Sequence, residues 1–140
     1  MIVVDSSFLV AFHNRRDVHH AAAADAMEDV LAGEYGDILL PEYVFMEVTT
    51  VLAARRNLAA AVTVGEVLLR AREIELVPCF EYFEKTFNVF RTQRAANPLS
   101  FADAAIVVIA AARGAGYVAT FDRGFNSVEG IKVVPSGKAA

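Results

Sequence analysis

The chain has 140 residues, of which 56% are hydrophobic and 21% are charged, so it is long enough and apolar enough to bury one core. This composition excludes an intrinsically disordered chain, and the formal net charge of -4 excludes the basic footprint typical of duplex-DNA readers. The single cysteine, Cys79, excludes an internal disulfide and a cysteine-based zinc site, and its apolar surroundings predict an inert core thiol.

Short apolar runs alternate with helical patterns along the chain. In chain order they predict a strand at 2–4, a helix at 17–31, a strand at 37–40, helices at 42–56 and 59–72, a strand at 74–77, helices at 81–94 and 100–113, and strands at 117–119 and 131–134. Uniformly apolar strands that alternate with helices predict a parallel sheet covered on both faces. We expect one domain over residues 1–135 and a loose tail at 136–140.

Within the predicted helix at 81–94, Phe83, Phe87 and Phe90 recur at helical spacing. Such a stripe is typical of a face buried in the core, and we prefer that interpretation to a surface that stacks on bases. The N-terminus has no basic stretch and carries Asp5 within its apolar run, which argues against a signal peptide. Since no apolar run approaches the roughly 18–20 residues that span a bilayer, we predict a cytoplasmic protein without a membrane segment.

Four acidic residues lie at strand ends or within apolar helices, where the fold alone does not require a charged side chain. Asp5 and Asp122 follow the first and fourth predicted strands, at the sheet edge where parallel folds place functional residues, although either could simply organise a turn or cap a helix. Asp103 is the only charged residue between Leu99 and Ala112, and it could also complete a capping box with Ser100. Glu47 interrupts a largely apolar helix, of which it could be a solvated edge.

Together these acids suggest one convergent cluster. Several carboxylates cannot all ionise at close range unless a positive charge lies between them. Oxygen ligands without a histidine and cysteine set favour Mg²⁺ or Mn²⁺ over zinc. A cluster that holds such an ion can bind phosphate even though the protein is acidic.

The four acids, with their neighbours, resemble the signature of the PIN domain. The matching segments are Asp5-Ser-Ser, Glu47 in its helix, the Leu-Ser-Phe-Ala-Asp-Ala segment around Asp103, and the Thr-Phe-Asp-Arg-Gly-Phe segment around Asp122. The length and the segment around Asp103 are similar to VapC-type toxins of toxin–antitoxin pairs. The resemblance covers essentially the whole chain and implies a three-layer α/β/α domain with a five-stranded parallel sheet.

The resemblance also implies roles for individual residues. Asp5, Glu47, Asp103 and Asp122 would be the catalytic, metal-binding acids, with Asp5 and Asp103 as the most direct ligands. Ser7 and Thr120 match positions where the family places a hydroxyl beside the acids; they would orient carboxylates, or else only cap a strand end and a turn. The chain departs from many relatives at Gly124, where these carry a further acid, which puts firm binding of a second metal in doubt.

The predicted function is Mg²⁺-dependent hydrolysis of RNA phosphodiester bonds. Arginines suit the flanking phosphates, and the candidates are Arg123, which adjoins Asp122, with Arg15, Arg16, Arg91 and Arg94, each of which could equally be ordinary surface charge. For His13, His19 and His20 we expect surface or packing roles. The resemblance implies a homodimer and a cognate antitoxin, while a housekeeping nuclease without an inhibitor and a non-catalytic interaction module remain alternatives.

Overall fold

A computed structural model describes residues 1–94 and 96–136. Its centre is a five-stranded sheet with the order β3-β2-β1-β4-β5, in which every neighbouring pair is parallel. The strands are β1 (Ile2–Val4), β2 (Ile38–Pro41), β3 (Ile74–Val77), β4 (Tyr117–Ala119) and β5 (Lys132–Val134). The predicted fold class is therefore confirmed. Of the predicted tail at 136–140, residues 137–140 lie outside the described part of the chain.

Within the described residues six helices cover the two faces of the sheet. They are α1 (Ser6–His13), α2 (His20–Leu31), α3 (Glu42–Arg55), α4 (Leu58–Arg70), α5 (Phe83–Arg91) and α6 (Phe101–Arg113), and short 3₁₀ turns lie at Phe80–Tyr82 and Arg123–Ser127. Helix α1 packs against α2 and α3, and α3 packs against α4, whereas α5 packs against α6. The helices thus form two groups around the sheet, as parallel crossover connections require.

The centre of the sheet is fully buried. The three residues of β1 are at most 1% exposed, and β1 pairs with β2 on one side and β4 on the other. The chain builds β2 and β3 outward in one direction from β1, then returns to add β4 and β5 in the other. The direction of winding therefore changes between β1 and β4, and the carboxyl ends of these two strands flank the crevice where open α/β sheets bind ligands.

The structure corrects three of the local predictions. Helix α1 was not predicted at all, and α2 begins at His20 instead of at residue 17, because Asp17 lies before the helix and its carboxylate accepts a hydrogen bond from the His19 amide. The helix expected at 81–94 is a 3₁₀ turn followed by the shorter α5.

The prediction of a core-facing phenylalanine stripe on α5 is wrong. Phe83 and Phe87 are each 51% exposed and Phe90 is 40% exposed. Phe83 and Phe90 contact Phe101 at the start of α6, with ring centroids 5.3 Å and 5.8 Å from it. The stripe therefore covers the first turn of α6 with one side and meets solvent with the other. Helical periodicity alone cannot distinguish such an outer layer from a core.

Other predictions concern burial and membrane association. Cys79 is 1% exposed, and burial raises the pKa of its thiol, as expected for an inert core cysteine. In the part of the chain that the structure describes, no helix has both the length and the apolar character needed to cross a bilayer.

Candidate active site

Asp5 lies at the end of the central strand and is held there by three residues that donate hydrogen bonds to it. It follows β1 directly and caps α1, since its Oδ1 accepts a hydrogen bond of 2.7 Å from the Ser6 amide. Its Oδ2 accepts from the Ser7 hydroxyl at 2.8 Å and from the Thr120 hydroxyl at 2.6 Å. Only 2% of Asp5 is exposed. The side chain is thus fixed by β1, α1 and the end of β4 together.

Ser7 and Thr120 lie beside the acids, at the positions expected from the sequence. Besides donating to Asp5, the Ser7 Oγ accepts a hydrogen bond of 2.9 Å from the Phe121 amide, and the Thr120 Oγ1 accepts one of 2.9 Å from the Asp122 amide. The two hydroxyl oxygens are 3.2 Å apart. Each hydroxyl therefore connects the Asp5 carboxylate to the backbone of the loop that carries Asp122.

Glu47 reaches the site from α3. It is half-buried and accepts a hydrogen bond from the Ser6 hydroxyl, and its negative charge is one of the causes that raise the pKa of Asp5. The contact follows from the packing of α1 against α3. Glu42, at the start of the same helix, has a different partner, because its carboxylate accepts a hydrogen bond of 2.8 Å from the Cys79 amide.

Asp103 lies in the first turn of α6. The Ser100 hydroxyl accepts a hydrogen bond of 3.1 Å from its amide, so the predicted capping contact is present. The residue is 8% exposed, and burial together with the charges of Asp5 and Asp122 raises the pKa of Asp103 from 3.8 to about 7. An interaction with the Asp122 side chain adds to this shift. The capping role and the interaction with the other acids therefore coexist.

Asp122 is the exposed member of the group. It precedes the 3₁₀ turn Arg123–Ser127, and its Oδ1 accepts a hydrogen bond of 2.8 Å from the Gly124 amide. A Cβ atom at position 124 would lie 2.8 Å from the Leu99 Cδ2 atom and 3.2 Å from Asp122 Oδ1. The Leu99 side chain would have to move to admit any larger residue, which gives a local reason for glycine at this position.

The structure therefore links the four acids through pairwise interactions. In addition to burial, the negative charge of Glu47 raises the pKa of Asp5, and the charges of Asp5 and Asp122 raise the pKa of Asp103. Burial is the largest cause that raises the pKa of Asp5, whereas its three hydrogen bonds lower it. In residues 1–94 and 96–136, however, no three acidic, histidine or cysteine side chains already form a closed cage for a metal ion. The arrangement fits a cation that binds few carboxylates directly and keeps most of its water.

Two cavities share the pair Asp122 and Arg123. One, of about 660 Å³, is also lined by Gln93, Arg94 and Leu99. Gln93 and Leu99 are joined by two hydrogen bonds. The Gln93 side-chain amide donates to the Leu99 carbonyl at 3.0 Å, and its oxygen accepts from the Leu99 backbone amide at 2.6 Å. The other cavity, of about 260 Å³, lies on the side of Phe121 and β5. Arg94 and Arg123 therefore share a cavity with Asp122.

Arg15 and Arg16 are exposed and follow the end of α1 that lies away from Asp5. A helix of eight residues advances the chain by about 12 Å. Neither arginine lines the two cavities that contain Asp122. Their proposed contact with RNA stays a prediction.

The three histidines have different surroundings. The half-buried His13 packs edge-on against Phe12, and burial lowers its pKa. The His20 Nδ1 atom lies 2.8 Å from the Ala11 carbonyl oxygen. His19, by contrast, is exposed and stacks on Phe121, and it lines the smaller cavity with Asp122. Packing thus describes His13 and His20, while His19 also belongs to the surroundings of the site.

The family follows from the sequence profile that the chain matches. The profile of the PIN domain matches residues 2–131. The chain belongs to the PIN-domain family. The resemblance seen in the four acidic segments is thereby confirmed at the level of the family. No curated protein matches the sequence significantly.

Solved structures of two VapC systems have the same fold. The structure of VapC20 from Mycobacterium tuberculosis, described as a toxin that cleaves the sarcin–ricin loop, superposes with a TM-score of 0.77 at 22% identity and covers 91% of this chain and 94% of its own. A chain of VapBC2 from Rickettsia felis, solved with a DNA fragment from its promoter, gives 0.66 at 14% identity, with coverage of 95% and 97%. At these identities the similarity establishes the fold.

Two residues at the site were missed from the sequence. Ser6 contacts both Asp5 and Glu47, and Phe121 packs between Phe8 and His19. Ser6 was missed because helix α1 was not predicted. That helix could have been recognised from Asp5 as an N-cap followed by a largely apolar stretch. Nothing in the local sequence of Phe121 indicates the stack, because its partners come from distant segments.

Proposed function

We propose that this PIN-domain protein is a Mg²⁺- or Mn²⁺-dependent endoribonuclease and the toxin component of a toxin–antitoxin pair. The observation that supports it best is the electrostatic linkage of Asp103 to Asp5 and Asp122 at the sheet edge of a PIN fold. Burial, and after it the negative charges of Asp5 and Asp122, raise the pKa of Asp103 to about 7, so an ionised Asp103 is unfavourable there in the absence of a cation. An enzyme that uses this site needs a positive ion there.

The donor set fits a hard divalent cation. Asp5 and Asp103 would hold the ion most directly, and Glu47 and Asp122 would complete the negative surroundings. When bound, such an ion neutralises phosphate charge and lowers the pKa of water at the site. Ser7 and Thr120 fix the Asp5 carboxylate through their hydrogen bonds, so its orientation is set before any ligand arrives.

The reaction proposed is hydrolysis of an RNA phosphodiester. The oxygen of a water molecule attacks phosphorus, the bond from phosphorus to the 3′ oxygen breaks, and that oxygen leaves in line with the attack and takes up a proton. The proton that the attacking water loses would pass to Asp103, whose pKa is raised to about 7 by burial and by the charges of Asp5 and Asp122. Arg94 and Arg123 would hold phosphates that flank the cleaved bond.

The toxin role rests on the similarity in fold to VapC20 and to a chain of the VapBC2 complex. We infer by the same route that a cognate antitoxin covers the site, that the chain forms a homodimer and that it acts in the cytoplasm. Growth arrest on induced expression, relieved by coexpression of a small adjacent gene, would distinguish this role from that of a housekeeping nuclease. Growth without arrest, together with RNA cleavage in vitro, would favour the housekeeping enzyme.

The decisive test of the chemistry is Asp103→Asn. Wild-type protein should cleave total RNA in Mg²⁺ and stop when EDTA is added, and the variant should lose at least about a hundredfold in rate, in keeping with loss of a metal ligand. Asp25→Asn, which changes an exposed acid on α2, is the matched control and should cleave normally. A folded Asp103→Asn protein that cuts RNA at the wild-type rate would overturn the site assignment.

A further inference from the structure

Three aromatic rings form a column that runs from the core to the surface beside the acids. Phe8, which is fully buried, stacks on Phe121 with ring centroids 6.1 Å apart and planes inclined by 22°. Phe121 stacks in turn on His19 with centroids 4.3 Å apart and planes inclined by only 6°. His19 is exposed, so its imidazole remains accessible to solvent although one of its faces lies on Phe121.

The column is rigid at its base. Phe121 belongs to the loop between Thr120 and Asp122, and its amide donates a hydrogen bond of 2.9 Å to the Ser7 hydroxyl, which itself holds Asp5. The position of the outermost ring is thus coupled to the position of the acids through a short series of contacts. A ligand that stacked on His19 would be placed relative to the candidate catalytic carboxylates.

The side chain of His19 has no evident role in starting the helix. His19 precedes α2, yet its side chain makes no capping hydrogen bond; Asp17 instead accepts from the His19 amide at 2.8 Å. His13 and His20 differ, because each has a partner within the fold, Phe12 and the Ala11 carbonyl. An exposed ring held flat on another ring, beside an active site, is the arrangement that proteins use to stack unpaired bases.

A cavity of suitable size adjoins the column. His19 and Phe121 line it together with Asn126 and Pro135, and its volume is about 260 Å³. Sites for drug-sized ligands are larger, at roughly 300–1,000 Å³, so this one suits a single flat group. Asp122 and Arg123 also line it, which places the cavity next to the position proposed for the cleaved phosphodiester.

We propose that His19, supported by Phe121, stacks on one unpaired base of the RNA substrate, in a nucleotide adjacent to the phosphodiester that is cut. This inference rests on the proposed ribonuclease function and adds a specific subsite to it. A base on the outer face of His19 would extend the ring column, and Asn126, which lines the adjoining cavity, would contact the edge of that base. The substrate is therefore RNA that is single-stranded or unstacked at the cleavage position.

The test separates stacking from charge. Asp103→Asn protein, in which cleavage is prevented, would be titrated with a roughly ten-nucleotide single-stranded RNA that carries the fluorescent base 2-aminopurine. His19→Ala should weaken binding by about tenfold and lose the fluorescence quenching that stacking causes, since stacking on an aromatic ring commonly contributes a decade of affinity. His19→Phe should retain both, whereas His19→Lys, which keeps a cation without an aromatic ring, should behave like His19→Ala.

Two controls complete the design. Val18→Ala changes a 91%-exposed neighbour of His19 and should alter nothing, and thermal unfolding verifies that each variant is folded. RNA in which the labelled base is replaced by an abasic site should bind equally to wild-type His19 and to His19→Ala. Equal binding and quenching by wild-type His19 and His19→Ala, or undiminished binding and quenching by His19→Lys, would overturn the subsite. Absence of Mg²⁺-dependent cleavage by the wild type would instead refute the ribonuclease function, and the subsite with it.

Discussion

The two ends of the candidate site differ in how the fold holds their carboxylates. Asp5 is 2% exposed and receives hydrogen bonds from α1 and from the end of β4. Asp122 is exposed, and its carboxylate accepts from Gly124 within its own surface turn. Asp103 is buried like Asp5, and its pKa is raised by this burial and by the negative charges of both Asp5 and Asp122.

This difference indicates a division of tasks. A carboxylate fixed by buried hydrogen bonds loses little entropy when a ligand binds, so it is suited to hold an ion in one position. A carboxylate on a surface turn can adjust, and it stands between the two cavities that an RNA strand could occupy. We expect substitutions near Asp5 to alter stability and catalysis together, and substitutions near Asp122 to alter mainly RNA binding.

Thr120→Val should have the largest effect outside the acids themselves. Valine keeps the shape of threonine, but Asp5 loses a buried 2.6 Å hydrogen bond and the Asp122 amide loses its acceptor. We expect cleavage to fall by about ten- to a hundredfold, as for other groups that orient metal-binding carboxylates. The free energy of unfolding should fall by roughly 1–3 kcal/mol. Rates across a Mg²⁺ titration and urea denaturation measure the two effects.

The control is Thr63→Val on α4, where an exposed threonine hydroxyl donates to the Ala59 carbonyl within its own helix. It should change neither rate nor stability by a measurable amount. If Thr120→Val behaved in the same way, Asp5 would not depend on the hydroxyl, and the contrast between the buried and exposed ends of the site would fail.

The second prediction concerns the stability of the metal-free protein. The pKa of Asp103 rises from 3.8 to about 7 on folding, and that of Asp5 also rises, so between these pH values the folded state binds more protons than the unfolded state. The free energy of unfolding should therefore decrease as the pH increases from about 4 to about 7, and the loss should persist above pH 7. Below pH 4 both carboxyls are protonated in the folded and in the unfolded state, so this loss of stability is absent.

Asp103→Asn should remove most of this slope and should be more stable than wild type at pH 8 by on the order of 1–3 kcal/mol. Urea denaturation in EDTA at several pH values would measure it, with Asp25→Asn as the exposed control. Addition of Mg²⁺ at pH 8 should stabilise wild type and leave Asp103→Asn nearly unchanged. A parallel pH dependence in wild type and Asp103→Asn would show that the acids do not interact as described.

Much of the fold could be predicted because its signals are local. The buried strands are short apolar runs, and the capping contact of Ser100 with Asp103 lies within a single helical turn. Asp5 and Asp122 were identified because strand ends of a parallel sheet meet at one edge, a rule that needs no knowledge of the remaining chain.

What could not be predicted depends on contacts between distant segments. The exposure of Phe87 reflects the absence, within residues 1–94 and 96–136, of a further layer over α5, and helical periodicity has no information on that. The Ser6–Glu47 contact joins residues 41 positions apart, and the His19–Phe121 stack joins two loops. Such pairs are set by how helices pack on the sheet, which sequence patterns leave open.

The smallest expected effect is that of Arg123→Ala at the exposed end of the site. Arg123 lines both cavities that contain Asp122, so it should contact a phosphate whichever side the strand follows. One lost phosphate contact should weaken RNA binding only a few-fold at moderate salt, and it should reduce the slope of log affinity against log salt by about 0.7 for single-stranded RNA. Arg72→Ala, an exposed arginine just before β3, is the control and should leave the slope unchanged. Because Asp5 and Thr120 are held independently of Arg123, the stability of Arg123→Ala should match that of wild type. If this variant lost stability as Thr120→Val is expected to, the turn at Asp122 would be part of the buried framework rather than an adjustable edge.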